Sequence, residues 1–116
     1  MGGYSGRAAA RMGKSFYHSN NSVAVQTIIA PAANQNGVIL RLASMGVSNG
    51  TAALYADTAA PVSVVDATKR TVRRVTKSAD WDHAHLRELY LPPATGLYYV
   101  SNAANNTISV TWDVLP

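Results

Sequence analysis

The sequence predicts a single all-β domain, a β-sandwich of the jelly-roll type, preceded by an extended N-terminal arm. Residues 107–114 alternate polar and apolar side chains without a break, which is the period-two pattern of a half-buried strand. About seven or eight short strand-like segments follow one another, separated by turns of Asn, Gly and Pro, with no long helical pattern between them. The 116 residues contain no cysteine, so packing alone must hold the single expected core.

Residues 1–14 show no strand period, and they combine three glycines in the first six positions with three basic residues and no acidic one. We interpret this segment as an arm that reaches a neighbouring subunit; the alternative is a terminal tail without defined structure. The body of the domain is expected at residues 15–116. The candidate contact residues of the arm are Tyr4, Arg7, Arg11 and Lys14, together with Phe16 just after it.

Strands are predicted in order at 14–18, 22–30, 38–45, 52–56 and 62–65, separated by the turns at 20–21, 31–37, 46–50 and 59–61. The segment 38–45 is apolar on both faces except at Arg41, which predicts a central strand. The turn at 48–50 predicts a hairpin between 38–45 and 52–56. The C-terminal third, with strands ending near Val100 and Val114, reads as a β-meander.

Two segments are less clear from the pattern alone. Residues 68–77 contain Val72 and Val75 at helical spacing, but their β-branched residues favour an exposed strand or a loop. Residues 86–91 fit one helical turn, although the shortness of the segment favours a strand.

The composition predicts a surface that is partly covered by partners. Charged residues make up 14% of the chain, against roughly 25% in an average soluble domain. The net charge of +4 comes largely from the arm and from one dense cluster. That cluster consists of Lys69, Arg70, Arg73, Arg74 and Lys77.

The basic cluster has three readings: a solvated loop, a contact with an acidic patch on another subunit, or a nucleic-acid contact. Its arginines suit bidentate pairing with carboxylates across an interface. Nucleic acid is disfavoured, because no aromatic stacking platform accompanies the cluster. No signal-peptide pattern and no stretch of roughly 20 apolar residues is found, so we expect no membrane partner and synthesis in the cytoplasm.

The sequence offers no catalytic or metal-binding signature. His83 and His85 would point to the same face of an extended segment, with Asp82 nearby. A structural zinc site needs four ligands, however, and the sequence has no second pair of ligands to match them. A polar loop anchored by Trp81 is the preferred reading of this region. Residues 46–50 (GVSNG) have the Gly-x-Ser-x-Gly spacing, but they lie between two predicted strands and not at the strand-to-helix turn of a nucleophile elbow, and phosphate-binding glycine loops are absent. We therefore predict a protein that is not an enzyme and carries no cofactor.

The aromatic residues suggest where ligands or partners bind. Trp112 lies on the clean C-terminal strand and is assigned to the core. Tyr98 and Tyr99 point to opposite faces of their strand, so one of them is expected to face outward. Tyr4, Tyr55 and Tyr90 are candidates for the same exposure. Trp81, Tyr98 and Tyr99 are the possible ligand-stacking residues of a carbohydrate-binding module.

The strand at 37–42 (GVILRL) and the turn and strand at 91–100 (LPPATGLYYV), with the basic arm and the closing alternating strand, resemble a known family. These features are similar to small β-sandwich structural proteins of tailed bacteriophage virions. Capsid decoration or cement proteins and compact domains of tail and fibre proteins belong to this group.

The resemblance implies a non-enzymatic virion component, commonly a trimer, that clamps neighbouring major capsid subunits. Such a subunit is assembled into the virion in the host cytoplasm. The alternative reading is a tail- or fibre-associated module that binds a carbohydrate or receptor.

Overall fold

The computed structural model describes residues 12–20, 24–77, 82–86 and 88–116; for Asn20 and residues 82–86 it describes the backbone alone. Within these ranges the structure is all-β, with two antiparallel sheets and a single helical turn. In chain order the elements are β1 (Ser15–Asn20), β2 (Gln26–Ile29), a 3₁₀ helix (Pro31–Ala33), β3 (Val38–Val47), β4 (Thr51–Asp57), β5 (Thr71–Thr76), β6 (Asp82–Leu86), β7 (Leu89–Leu91), β8 (Gly96–Ser101) and β9 (Thr107–Val114).

Each sheet is four positions wide. Sheet A has the order β1-β9-β3-β6, and sheet B has the order β2-β8-β4-β5. The short strand β7 pairs with the first part of β3 and β6 with its last part, while β9 occupies the opposite edge of β3. Strands β6 and β7 therefore act as one interrupted edge strand of sheet A.

Most of the predicted strands are confirmed, including the central position of β3. Residues 71–76 form a strand, which is one of the two structures expected for 68–77, and residues 89–91 form a strand as predicted. The turn glycines are also confirmed: Gly37 and Gly50 have φ values of 105° and 65°, a backbone region that favours glycine.

Two predicted pairings are wrong. Strands β3 and β4 do not form a hairpin, and β8 and β9 do not continue as a meander, because the members of each pair lie in different sheets. The turns between them instead carry the chain from one sheet to the other. Alternating polarity identifies a strand and its buried face, but it does not identify the neighbouring strand.

The two sheets share one hydrophobic cluster, which contains inward-facing residues of both. In β3 the buried positions run Val38 and Leu40, then Ala43, Met45 and Val47, so the alternation changes phase once. The pairing of β3 with β9 shifts register between Leu40 and Leu42, as at a β-bulge. The bulge at Arg41 lets both halves of β3 face the same core. Trp112 is half-buried and packs against this cluster, as expected.

The outer face of sheet B is also covered, by the segment 58–70 between β4 and β5. A second cluster forms there from Ala53, Tyr55, Tyr98 and Val100, with Val64 of the covering segment packed against it. The strand predicted at 62–65 is wrong, because the backbone of this segment bonds to side chains of the sheet instead. The Tyr55 hydroxyl donates to the Val64 carbonyl and accepts from the Asp66 N–H, both at 2.9 Å.

Asp66 stabilises the turn of the covering segment. Its carboxylate accepts hydrogen bonds from the Thr68 hydroxyl at 2.6 Å and from the N–H groups of Val62 and Thr68, both at 3.0 Å. The Thr68 hydroxyl, followed by these N–H groups, lowers the pKa of Asp66 below its ordinary value. The ionised form of Asp66 is therefore the form that the folded segment favours.

Two fully buried asparagines hold the connections at opposite ends of β3. The Asn34 amide donates to the carbonyls of Pro92 and Thr95, each at 2.9 Å, while its oxygen accepts from the Gly37 N–H at 2.8 Å. Asn34 thus ties the β2–β3 connection to the β7–β8 connection.

At the other end, Asn106 ties the β3–β4 connection to the β8–β9 connection. Its oxygen accepts from the Ser48 N–H at 2.9 Å, and its amide donates to the Asn49 carbonyl at 2.7 Å and to the Ser101 hydroxyl at 2.9 Å. Both asparagines satisfy buried backbone groups that have no strand partner at these turns.

Replacing either buried asparagine with alanine is expected to destabilise the fold strongly. Asn34→Ala or Asn106→Ala leaves buried backbone donors and acceptors unpaired, which costs about 2–3 kcal/mol of the free energy of unfolding. Urea denaturation followed by tryptophan fluorescence measures this loss. The exposed Asn36, two residues further along the same connection, supplies the matched control, and Asn36→Ala should change the stability by less than about 0.5 kcal/mol. Equal effects at Asn34 and Asn36 would contradict the assigned role.

The Asp66 turn predicts a specific acid sensitivity. Because the pKa of Asp66 is lower in the folded than in the unfolded chain, its stabilisation is complete above the ordinary pKa of 3.8 and is lost as the pH falls through the lower folded value. Asp66→Asn should therefore be less stable than the wild type at pH 7, and the difference should shrink on acidification to about pH 2–3. A difference that is independent of pH would show that the carboxylate charge is not involved.

Candidate functional site

A cleft of about 430 Å³ opens between the edge strands of the two sheets, and we call it the edge cleft. Strand β5 is the edge strand of sheet B on this side, and β7 lies at the corresponding edge of sheet A. The lining is mostly apolar and comes from Ala56, Arg70, Thr71, Val72, Glu88, Leu89, Tyr90, Leu91, Pro92 and Thr95.

Tyr90 is the most exposed aromatic side chain of the edge cleft, with 53% of its surface accessible. Its ring lies against Gly37, where an added Cβ would stand 2.7 Å from the tyrosine Cε1 atom. The positive φ of Gly37 and this close approach both require glycine. The expected outward position of Tyr90 is confirmed, whereas Tyr55 is fully buried beneath the 58–70 segment.

The basic cluster lies on and beside β5, the edge strand of sheet B. Its members Lys69, Arg70, Arg73, Arg74 and Lys77 cover both ends of the strand. The Arg70 N–H donates to the Asp57 carboxylate at 2.8 Å, and the Arg70 Nε lies 3.5 Å from the same oxygen. The pKa of Asp57 is lowered by this backbone hydrogen bond first, and then by the Thr58 N–H.

Arg74 has a structural role at the outer face of sheet B. Its Nε donates to the Val64 carbonyl at 2.7 Å, and its Nη2 donates to the Tyr55 hydroxyl at 3.1 Å. Of the described carboxylates, none lies within ion-pair distance of Lys69, Arg73 or Lys77. The cluster thus divides into two arginines engaged with the fold and three cations that are available to a partner.

A second hollow, of about 660 Å³, lies where the chain enters β1, and we call it the N-terminal hollow. It is lined by Met12, Lys14, Ser15, Arg41, Asp113, Val114 and Leu115. Met12 is 73% exposed, and Val114 is half-exposed. Phe16 of β1 does not line the hollow, but it is 77% exposed and faces away from the core. Large apolar side chains are therefore exposed at the hollow and on the adjoining strand.

The bulge residue Arg41 forms the charged floor of the N-terminal hollow. Its Nε lies 2.9 Å from the Asp113 carboxylate, and its Nη1 pairs with Glu88. The hydrogen bonds to Asp113 and then Glu88 raise the pKa of Arg41 above its ordinary value. These ion pairs fix the side chain of Arg41, which is the one charged residue of the predicted central strand.

Residues 13 and 14 are already bonded to sheet A. The Gly13 N–H donates to the Thr111 hydroxyl at 2.9 Å, and the Lys14 N–H donates to the Asp113 carboxylate at 2.8 Å. An added Cβ on Gly13 would lie 2.4 Å from the Trp112 backbone. Of the predicted arm contacts, Lys14 is exposed at the N-terminal hollow and Phe16 is exposed on β1, while Tyr4, Arg7 and Arg11 lie outside the described residues.

The proposed stacking residues Tyr98 and Tyr99 are both buried, at 4% and 1% exposure, so the expectation that one faces outward is wrong. Tyr99 faces the shared core, and Tyr98 is covered by the 58–70 segment. Burial raises the pKa of Tyr99 to about 12. Trp81 lies outside the described residues.

His18 and His85 lie far apart in the backbone of sheet A. His18 pairs in register with Ser109, Ser109 with Ser44, and Ser44 with His85, so the two histidines are three strands apart in sheet A. Three interstrand spacings amount to about 14 Å, which is too far for a shared metal ion. Within the described ranges, no group of three or more potential metal ligands occurs.

Sequence reasoning did not identify the edge cleft or the two buried asparagines. The shortness of the segment 86–91 indicated a strand but not its position opposite β5. Asn34 and Asn106 lie among other turn asparagines, and no local signal separates the buried from the exposed ones.

Comparison with protein families, characterised proteins and solved structures found no match for this chain. In the described part of the chain, no helix has the length and apolar character needed to cross a membrane.

Proposed function

We propose that this chain is a jelly-roll β-sandwich that serves as a non-catalytic virion subunit, binding and stabilising a capsid lattice as a decoration or cement protein. The fold part of the proposal rests on strand pairing. Strands β1 to β4 pair in turn with β9, β8, β6/β7 and β5, as in one long hairpin. The pairs β3–β9 and β4–β8 then close two four-position sheets, which is the arrangement expected when such a hairpin winds into a jelly roll.

Jelly rolls occur in viral capsid and lectin domains, so the fold favours these binding roles without selecting between them. The observation that carries the virion proposal is the apolar surface at the N-terminal hollow. Met12 and Val114 are exposed there, next to the segment that leads to the basic N-terminus, and Phe16 is exposed on the adjoining strand β1, on the outer face of sheet A. Grouped exposed apolar side chains mark interaction surfaces.

In this proposal the N-terminal segment lies across a neighbouring subunit. Tyr4 and Phe16 act as anchors, and Arg7, Arg11 and Lys14 pair with acidic groups there. Many weak sites on one lattice act together, because each bound contact raises the effective concentration of the next. The partners are the major capsid protein or other virion subunits and further copies of this chain, with a trimer taken from the family resemblance.

The test is co-purification with particles from cells that carry the gene. Wild-type chain should band with particles in a density gradient, detected by an antibody raised against the recombinant protein. Deletion of residues 1–11, which retains the bonds of Gly13 and Lys14, and Phe16→Ala should each leave a folded domain but reduce incorporation at least about tenfold.

Val62→Ala is the matched control, because Val62 is a similarly exposed apolar residue on the 58–70 segment. It should leave incorporation unchanged. Wild-type protein found only outside the particle fractions would refute the virion role, and normal incorporation of the deletion variant would refute the role of the arm.

The alternative function, a carbohydrate-binding module at a tail or fibre, is favoured by one observation. The exposed ring of Tyr90 shares the edge cleft with the charged groups of Arg70 and Glu88, so stacking and hydrogen-bonding groups converge. This site replaces the expected one at Tyr98 and Tyr99.

If the module binds glycans, a glycan array should give signals with the wild type that Tyr90→Ala loses by about tenfold or more. Phe16→Ala is the control, because it changes an exposed aromatic residue on another surface. Tyr17→Ala is unsuitable because Tyr17 packs against the core. Glycan signals that persist in Tyr90→Ala would exclude the edge cleft as their source.

A further inference from the structure

We propose that β5 is a strand-addition site for an extended acidic segment of another protein, with apolar side chains of that segment entering the edge cleft. The inference rests on the proposed binding function and names the chemistry of one partner. It uses three features: outward backbone groups of an edge strand, uncompensated positive charge beside them, and an apolar cleft at one end.

The first feature is the backbone of β5. Among the described strands β4 is the one that pairs with β5, while β6 comes close to β5 without pairing with it. The Lys77 N–H donates to the Gly50 carbonyl at 2.9 Å. In antiparallel pairs hydrogen-bonded and non-hydrogen-bonded residues alternate, so the register makes Thr76 and Arg74 the residues whose N–H and C=O groups point away from β4. These four groups match the ladder that an added strand requires.

The second feature is the charge of this edge. Arg70 and Arg74 are engaged with Asp57 and with the 58–70 segment, whereas Arg73 and Lys77 have no carboxylate partner among the described residues. Arg73 and Val75 pair with Leu54 and Ala52, both of which face the core, so Arg73 lies on the side between the two sheets. An added strand would bring its own side chains next to these cations.

The third feature is the edge cleft at the start of β5. Val72 packs against the core there, and the exposed parts of Leu89 and Tyr90 face the space beside the strand. Apolar side chains from an added segment would cover this surface, and burying it favours association. The added segment therefore needs apolar side chains beside Val72 and acidic side chains beside Arg73 and Lys77.

This chemistry argues against a second copy as the occupant. Pairing two β5 strands would bring two basic clusters together, and like charges facing each other across strands are destabilising. Charged edges also protect sheets from uncontrolled pairing, which is consistent with selection for an oppositely charged partner. A nucleic acid could use the cations but has no peptide groups to extend the ladder.

The experiment uses the full-length ¹⁵N-labelled protein and the acetylated, amidated peptide Glu-Thr-Glu-Thr-Val-Thr-Leu-Thr. In antiparallel addition its glutamates lie near Lys77 and its apolar residues near the edge cleft. Titration followed by NMR should shift the amide signals of Arg74 and Thr76 and slow their hydrogen exchange. A peptide with lysine in place of glutamate should bind at least about tenfold more weakly.

Two controls separate strand addition from simple charge attraction. Alternate N-methylation of the peptide keeps its charges but removes the ladder hydrogen bonds, and it should abolish the slowed exchange. In the protein, Thr76→Pro removes one outward N–H and should weaken binding about tenfold, because proline is tolerated on edge strands only where the N–H faces solvent.

The charge requirement has its own pair of variants. Arg73→Glu combined with Lys77→Glu should weaken binding about tenfold or more, whereas Lys14→Glu, a basic residue at the N-terminal hollow, should leave it unchanged. These substitutions keep the proposal testable if Thr76→Pro does not fold.

Absence of peptide binding, or equal binding of the N-methylated peptide, would overturn strand addition. Tighter binding of a single-stranded DNA oligonucleotide with steep salt dependence would assign the cluster to nucleic acid instead. Peptide binding by a protein that never enters particles would leave this inference standing and refute the virion proposal. If the peptide does not bind and the charge variants enter particles normally, this inference is refuted and the virion proposal stands.

Discussion

The connections at the two ends of the paired sheets are held by the buried amide groups of Asn34 and Asn106. Except for β4–β5 and β6–β7, every connection between consecutive strands carries the chain from one sheet to the other. Such crossings leave backbone groups without ladder partners in a buried place, where an unpaired group is costly. Each asparagine satisfies groups from two crossings at once, so the relative position of the sheets depends on these two side chains.

This arrangement determines which surfaces are left for partners. Strands β9, β3, β8 and β4 are paired on both sides, and the 58–70 segment covers the outer face of sheet B through Tyr55, Asp66 and Arg74. The remaining contact surfaces lie at the edges and on the outer face of sheet A. The N-terminal hollow and the edge cleft occupy two of these places, and each combines exposed apolar side chains with fixed ion pairs.

The two surfaces suit different kinds of contact. At the N-terminal hollow, Arg41 is bound by Asp113 and Glu88, so its charge is largely compensated, and the exposed side chains of Met12 and Val114 are apolar. Along β5, in contrast, Arg73 and Lys77 have no carboxylate partner among the described residues, and the backbone edge beside them pairs with no described strand. A lattice-binding subunit that uses both surfaces would gain area from the first and selectivity from the second, since charge complementarity favours specific partners more than it adds affinity.

The sequence by itself determined where the strands lie and which face of each is apolar, because alternation and turn residues are local signals. Residues 107–114 and the glycines at 37 and 50 show this most clearly. Only the tertiary structure decided which strands are neighbours, which turn asparagines are buried, and that a covering segment hides Tyr98. These outcomes depend on contacts between residues far apart in the chain, such as Asn34 with Thr95 or Tyr55 with Val64, and no local pattern records a distant partner.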